Sequence, residues 1–417
     1  MTTIVGVLNK RAVAIAADSA VTVGDTHKVM NTGNKIFSLS KHAPVGVAIY
    51  GSASLMDTPW EVIIKGYRRE LGRKKFLHLN EYVDDFLNYL RTHEFFAPSK
   101  SQSKYLTFQM ARFLEICEEQ ANKRANYTSD AVQAVLDELN ECKIKNQTNS
   151  DLFDDFREYG YDDFISFTRE EIKKVIQKSK ILHEDQHFDA FAESYYHYML
   201  VANIRRGFES GLVFVGYGEE EIYPSLYNIV TTIGFEHKLQ WRYGENTEIK
   251  NDGTTASITP FAQVETTQTV IRGINPTFYD IIANNFTSIL NSFKKTIGGI
   301  ARNNNDLPLA AQINGLNVKP LSKAFTQAMQ EQFFEKYTRP LVNTIGHLGI
   351  SDMANVAESL VALTSLVNRM SPKEESVGGP VDVAVISKGD GFIWIKRKHY
   401  FDPNLNSQFF NNYNDDQ

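Results

Sequence analysis

The chain has 417 residues, 42% hydrophobic, 12% aromatic and 23% charged, a globular balance with a length prior of roughly two to three domains. Its 44 basic and 50 acidic residues give a net charge of −6. With no cationic excess to neutralise phosphate, nucleic-acid and anionic-membrane partners are disfavoured.

Two cysteines, Cys117 and Cys142, argue against a disulfide framework and exclude a cysteine-rich zinc site. No uninterrupted apolar run nears the ~18 residues of a membrane helix. Lys10 and Arg11 come too early for a signal-peptide core. The expectation is a soluble, reducing, cytoplasmic protein.

In chain order, the first fifty residues read as strands. Thr3 to Leu8 and Ala12 to Ala17 are apolar on either side of the turn Asn9-Lys10-Arg11, and Lys35 to Ser40 and Pro44 to Tyr50 follow. From Ala53 to Leu71 the period changes. Leu55, Trp60, Ile63, Ile64, Tyr67 and Leu71 recur at three and four, which predicts a helix packed on the sheet.

Residues 95–205 are polar, charged and helical in pattern. Leu106, Met110, Phe113, Cys117 and Ala121 share one face, and Thr168 with Glu171 reads as a capping box. This block is expected to be an inserted helical subdomain or an ordinary second domain. The strands resume after it as though one sheet were interrupted, which favours the insertion.

Further strands are expected at Gly211 to Tyr217, Ser225 to Thr232 and Ala256 to Arg272, with Asn251-Asp252-Gly253 as a hairpin turn. Pro276 opens a helix to about Phe293, and helices at about 320–345 and 353–369 follow. Val381 to Ser387 and Phe392 to Lys396 make a closing hairpin, and the tail is rich in asparagine. The order implies an α+β class, two antiparallel sheets with helices outside. The expected division is a core of 1–94 plus 206–401, an insertion of 95–205 and a tail of 402–417.

Three residues near the start carry the chemistry: Thr2, Asp18 and Lys35. Removal of Met1 from a small neighbour would leave Thr2 with both a hydroxyl nucleophile and a free amine, which can serve as general base for its own Oγ. An α-amine begins near ~7.7–8.0, close to what a base needs at neutral pH. A nearby ammonium lowers it further; Lys35 on a neighbouring strand is the candidate, with Asp18 holding that lysine. Taken singly, each has a bland reading as a common start, a turn residue and a surface charge.

Together they sit in a wider pattern: Thr2-Thr3-Ile4-Val5-Gly6-Val7, Ala14-Ile15-Ala16-Ala17-Asp18-Ser19, Gly33-Asn34-Lys35-Ile36-Phe37 and Val47-Ala48-Ile49-Tyr50-Gly51. Near the end come Gly378-Gly379-Pro380-Val381-Asp382-Val383-Ala384-Val385-Ile386 and Lys388-Gly389-Asp390-Gly391. This pattern resembles the proteasome β-subunit and HslV-type peptidases, members of the N-terminal nucleophile (Ntn) hydrolases. Matching stretches are 2–75, 208–294 and 352–396, about half of the chain.

The resemblance implies a four-layer αββα sandwich and a threonine peptidase. Thr2 would be the nucleophile, Lys35 would tune its amine and Asp18 would orient Lys35. Glu374 would take a supporting carboxylate role, and the Ile49 N–H, where the family has Gly, would serve the oxyanion. Val21, Gly33, Val47 and Gly51 would border an apolar specificity pocket. The implied partners are a peptide or unfolded protein substrate, further copies of the chain in a homo-oligomeric ring, and an ATP-dependent unfoldase; no cofactor and no metal are implied.

Two departures stand out. The family's Gly-Ser-Gly-x-Pro segment is Arg272-Gly273-Ile274-Asn275-Pro276 here, so Gly273 stands where a Ser belongs. Before Gly378, Glu374 and Val377 fall where the family often has Asp and Ser. A catalytically silent structural or binding relative, or an amidase acting on small molecules, are therefore the alternatives.

One rival motif exists. His183-Glu184-Asp185-Gln186-His187 matches H-E-x-x-H, with Glu209 downstream as a third ligand. Its polar Asp185 and Gln186 favour a solvated helix start instead. Gly216-Tyr217-Gly218 before Glu219-Glu220-Glu221 is no phosphate loop. Lys65, Arg68, Arg69, Arg73, Lys74 and Lys75 read as a solvated face, and Tyr195, Tyr196 and Tyr198 as packing.

Overall fold

Every residue of β1 (Thr3–Asn9) and β2 (Ala12–Ala17) is buried, as continuous apolar strands require when both faces are covered. The structure is a computed structural model and describes residues 2–23, 28–93, 98–124, 130–182, 185–204, 207–371, 377–399 and 401–408. The chain divides into two compact units. One comprises Met1–Gly33, Ile249–Val385 and Ile393–Gln417; the other comprises Asn34–Glu248 and Ile386–Phe392.

In chain order, β1 and β2 are followed by β3 (Val21–Val23) and β4 (Lys28–Met30), then β5 (Ile36–Ser38), β6 (Val45–Gly51), β7 (Ser54–Leu55) and β8 (Thr58–Pro59). Six helices come next: α1 (Trp60–Leu71), α2 (Leu79–Thr92), α3 (Ser99–Arg124), α4 (Ala131–Gln147), α5 (Tyr161–Lys178) and α6 (Phe188–Leu200). Strands β9 (Ser210–Gly216), β10 (Ser225–Phe235), β11 (Lys238–Tyr243), β12 (Thr247–Glu248) and β13 (Ala256–Ala262) follow. The rest is α7 (Glu265–Arg272), α8 (Pro276–Asn303), α9 (Leu307–Gly315), α10 (Lys319–Phe333), α11 (Arg339–His347) and α12 (Ile350–Met370), then β14 (Asp382–Ser387) and β15 (Gly391–Lys396).

The first unit is built on a five-stranded sheet of order β13-β1-β2-β14-β15. Strand β1 runs antiparallel to both neighbours, with Val5 opposite Pro260 and Ala16. Helices α11 and α12 pack on it. Met353, Ala354, Ala357, Leu360 and Val361 of α12 join Val5, Val7, Ala12, Ala14 and Ala16 in one core. The small alanines of β2 let the helix approach closely. Buried Asn9 satisfies itself by donating to the carbonyls of Ile345 (2.9 Å) and Leu348 (3.1 Å) at the end of α11. Helix α12 has the length and composition of a membrane span, with a mean hydropathy of 1.2 over its apolar window. That amends the run-length argument, but its buried face is the one that covers β1 and β2.

The second unit is built on a six-stranded sheet, β11-β10-β9-β6-β5 with β12 beside β10. Phe86 of α2 sits 5.4 Å from the ring of Phe214 in β9 and edge-on to Tyr67 of α1 at 5.0 Å. The helical stretch predicted at 95–205 is present as α3–α6, and it belongs to this unit rather than standing apart. A buried network binds it to the sheet. Gln109 of α3 donates to Gln240 Oε1 (3.1 Å), Thr232 donates to the same oxygen (2.8 Å), and the Tyr195 hydroxyl of α6 donates to Gln109 (3.1 Å). Residues 106, 110, 113, 117 and 121 are all buried, as their spacing predicts. Cys117 on α3 is buried, Cys142 on α4 donates to Glu138 Oε1 at 3.9 Å, and both are free thiols.

Several local expectations differ from what forms. Ala256 to Arg272 is not one strand: β13 stops at Ala262, which takes a left-handed φ of 64°, and 265–272 is α7. Thr168 caps nothing, since it lies inside α5 and its hydroxyl bonds back to the Phe164 carbonyl at 2.6 Å. Asn251-Asp252-Gly253 is a turn, but it joins β12 of one sheet to β13 of the other rather than closing a hairpin. Residues 409–417 of the predicted tail lie outside the described residues.

Candidate active site at the start of the first strand

Thr2 precedes β1 and is 7% exposed. Its carbonyl accepts the Gln263 N–H at 3.2 Å, which extends the β1–β13 ladder one step past the Thr3–Ala262 pair. The next residue is gripped from the other side. The Thr3 N–H donates to Asp18 Oδ1 at 2.8 Å, and the Asp18 N–H donates to the Thr3 carbonyl at 3.2 Å.

Asp18, 1% exposed, is where β2 ends and the chain turns. Its second oxygen accepts the N–H groups of Ala20 (3.1 Å) and Gly378 (3.2 Å). The following residue repeats the connection. The Ser19 N–H donates to the Gly378 carbonyl at 3.1 Å, and its hydroxyl donates to the Pro380 carbonyl at 2.5 Å. Gly379 takes φ +76°, where a Cβ would stand 2.9 Å from that of Asn31, so glycine is required there. Gly33 closes the cluster. Its N–H donates to the Ser19 carbonyl at 3.1 Å, and a Cβ on it would strike Val21 at 2.3 Å.

Four separated stretches therefore meet in the first unit: Thr2-Thr3, Asp18 to Val21, Gly33, and Gly378 to Pro380. Sequence reading named Thr2, Asp18, Val21 and Gly33 and matched the glycine pair only as a motif. It missed that the Gly378 amide and the Ser19 hydroxyl are what tie that motif to the strand ends.

Lys35, Val47, Ile49 and Gly51 lie in the second unit. Lys35 is 3% exposed, and its carbonyl accepts the Ile49 N–H at 2.8 Å. The N–H assigned to the oxyanion is thus spent in the sheet, and Ile49 can serve only where that bond opens. Val47 is wholly buried in the core and pairs with Phe214. Gly51 ends β6 at φ +77°, where a Cβ would meet the Glu209 carbonyl at 2.2 Å; its conformation accounts for the glycine. Met1 and Glu374 lie outside the described residues.

Gly273, in the place of the family Ser, caps α7 in the left-handed conformation at φ +69°, and a Cβ there would meet the Tyr337 ring at 2.5 Å. A serine does not fit this backbone. Of the H-E-x-x-H stretch, His183 and Glu184 lie outside the described residues. The rest, Asp185–His187, is a 3-10 turn, and α6 begins only at Phe188. The described half of the motif is therefore not the continuous α-helix that a zinc pair at i and i+4 needs. Two cavities of about 910 and 660 Å³ lie in the second unit, the larger lined by Tyr105, Phe108, Glu118 and Phe208, the smaller by Arg91, His93, Phe167 and His237. Neither is lined by a predicted site residue.

No protein-family model matches the chain, and no curated protein matches it. Among solved structures it is similar to an Anbu (Gly-1) mutant from Hyphomicrobium sp. strain MC1, at 10% identity and a TM-score of 0.31, over 100% of this chain and 96% of that one. A likeness this remote carries no weight for the site, whose reading rests on the residues themselves.

Proposed function

We propose that this chain is a threonine hydrolase of the N-terminal nucleophile type that cleaves peptide bonds through Thr2 once Met1 is removed. The observation that carries the reading is the convergence on the start of β1, where Asp18 takes the N–H groups of Thr3, Ala20 and Gly378. That frame fixes the backbone that follows a buried threonine, and a fixed nucleophile is what lowers the entropy cost of attack.

The chemistry follows from the residue. The Thr2 amine takes the proton from its own Oγ, directly or through water, as Oγ attacks the carbonyl carbon. The protonated amine then gives that proton to the departing nitrogen, leaving an ester on Oγ. Water, activated by the same amine, hydrolyses the ester and restores the hydroxyl. By resemblance, Lys35 would lower the amine's proton affinity. The fold this implies is the four-layer αββα sandwich, assembled as a homo-oligomeric ring acting on peptides or unfolded protein.

A second reading is favoured by two observations. Gly273 cannot be replaced by the family serine without backbone strain, and the Ile49 N–H is bonded to Lys35. A silent relative would keep the frame and lack the reaction.

One experiment separates them. Intact mass establishes whether Met1 is removed, and an epoxyketone probe is then applied to wild type and Thr2→Ala. The peptidase reading expects one adduct per chain in wild type and none in Thr2→Ala. An unlabelled wild type with Met1 removed establishes the silent relative.

A further inference from the structure

Two strained hairpins border the 660 Å³ cavity of the second unit. Among the described residues, six other than glycine take a left-handed φ. Four of them are the two-residue loops of these hairpins: Met56-Asp57 between β7 and β8, and Glu236-His237 between β10 and β11. The hairpins are tied together, the Gly234 N–H donating to Met56 Sδ at 3.1 Å. They reach the cavity through Leu55 and through Gly234 to Leu239. Such loops favour Asn-Gly, and L side chains in them cost free energy. Strain kept beside a cavity is an outlier from which function can be argued.

The second loop sets His237 and Lys238 into the cavity wall beside Arg91. His237 Nδ1 lies 2.9 Å from the Arg91 carbonyl. A carbonyl only accepts, so Nδ1 carries the proton and the ring is fixed against the end of α2. Arg91 is itself pinned. Its Nε and Nη2 donate to Asp155 at 2.8 and 2.7 Å, and the same carboxylate takes the Leu239 N–H and the Trp241 indole N–H. The remaining guanidinium nitrogen, Nη1, donates to no described residue, and Lys238 makes no ion pair among them. Glu236, the one acid in the lining, accepts the Tyr159 hydroxyl. Apolar side chains complete the wall. Leu55, Leu90 and Phe235 are at most 5% exposed, and Phe167 stacks on Phe235 with ring centroids 5.6 Å apart.

We propose that this cavity binds a small amphipathic carboxylate, held by Arg91 Nη1, Lys238 and the His237 ring, with its apolar body against Leu55, Leu90, Phe167 and Phe235. The volume is that of a small-molecule site. A guanidinium already locked by Asp155 has little freedom left to lose when a second carboxylate arrives. Asp155 offsets the Arg91 charge, so Nη1 supplies the direction and Lys238 the charge. One negative charge matches that lining, whereas a phosphate dianion would meet Glu236. This inference does not depend on the threonine chemistry.

Calorimetric titration of the full chain with 4-phenylbutyrate and with octanoate tests it, each beside its neutral amide. Wild type should bind the acids at one per chain and the amides about tenfold more weakly or less. Lys238→Met should weaken the acids by about tenfold with the melting temperature unchanged. His237→Gly gives the turn a residue it favours, so it should hold or raise the melting temperature while weakening the acids. Thr2→Ala should bind them as wild type does. A wild-type chain that binds neither acid, or binds the amides as tightly, would overturn the proposal. So would Lys238→Met and His237→Gly variants that both keep wild-type affinity, or binding that disappears in Thr2→Ala, which would put the ligand at the threonine instead.

Discussion

The Thr3 N–H donates to Asp18 Oδ1 at 2.8 Å while the Asp18 N–H returns to the Thr3 carbonyl at 3.2 Å. This reciprocal pair sets the direction in which Thr2 leaves β1. Asp18 also holds Ala20 and Gly378 through its second oxygen, so one side chain locks three stretches of backbone. The functional assignment of Asp18 and its structural role make different demands, and substitutions can separate them.

Asp18→Ala leaves three interior N–H donors without their acceptor, and each unpaired donor costs about 1–3 kcal/mol. Relaxation and water recover part of that, so a loss of roughly 2–5 kcal/mol is expected in urea unfolding. Asp18→Asn keeps one acceptor oxygen for Thr3 but turns an amide NH₂ toward Ala20 and Gly378, and should fall between wild type and Ala. An Asp18→Ala protein as stable as wild type would show that the hub contributes nothing.

The amine-base proposal predicts a pH dependence of probe labelling. The rate should rise as the Thr2 amine loses its proton, with a midpoint below the ordinary ~7.7–8.0 if a cation acts on it. Lys35→Met removes the charge and should move that midpoint upward and slow labelling at neutral pH, whereas Lys35→Arg should keep the midpoint low. A midpoint unmoved by Lys35→Met would take Lys35 out of the mechanism.

Much of this frame was legible in the sequence, and the limits have physical causes. Strands β1 and β2 show as apolar runs because both faces are covered, and the buried face of α3 shows as a three–four spacing. Asp18 was legible as a candidate, but its bond to Gly378 spans 360 positions, and no local pattern encodes it. Strand β11 was missed because it follows β10 through Glu236 and His237, both at positive φ, without the Gly or Asn that normally announces such a turn. Helix α7 was read as strand because Thr266, Thr267, Thr269, Val270 and Ile271 are all β-branched; tertiary context overrode their preference. The oxyanion assignment failed to anticipate the Lys35 carbonyl because a sequence names a residue and not where its N–H points.

Asp155 gives a stability prediction with a definite sign. Burial alone pushes its carboxyl up, but the Arg91 guanidinium (2.7 and 2.8 Å), the Leu239 N–H (2.9 Å) and the Trp241 indole N–H (3.0 Å) outweigh that and hold it below the ordinary 3.8. A carboxyl with a lower value folded than unfolded stabilises the fold above pH 3.8, and that stability disappears as pH falls through the folded value. The gap in unfolding free energy between wild type and Asp155→Asn should therefore be largest at neutral pH and shrink as pH is lowered from about 5 to about 2. A gap that stays constant through that window would mean the ion pair is not what Asp155 contributes.

Thr3 makes the opposite kind of prediction, a substitution beside the proposed nucleophile that should do no harm. Its hydroxyl is buried and has no hydrogen-bond partner among the described residues, and the side chain is fully enclosed. An unpaired buried hydroxyl costs about 1–3 kcal/mol, and replacement by an apolar group of the same shape removes that cost. Valine is that group, it favours strands, and the Thr3 N–H that Asp18 accepts belongs to the backbone and survives. Thr3→Val should hold or raise the melting temperature and leave probe labelling of Thr2 intact, whereas Thr3→Ala opens a void and should lower stability by about 1 kcal/mol or more. If Thr3→Val instead destabilises the fold or abolishes labelling, the hydroxyl has a partner in the working protein, and the most direct place to look for it is the Thr2 amine or the water that amine activates.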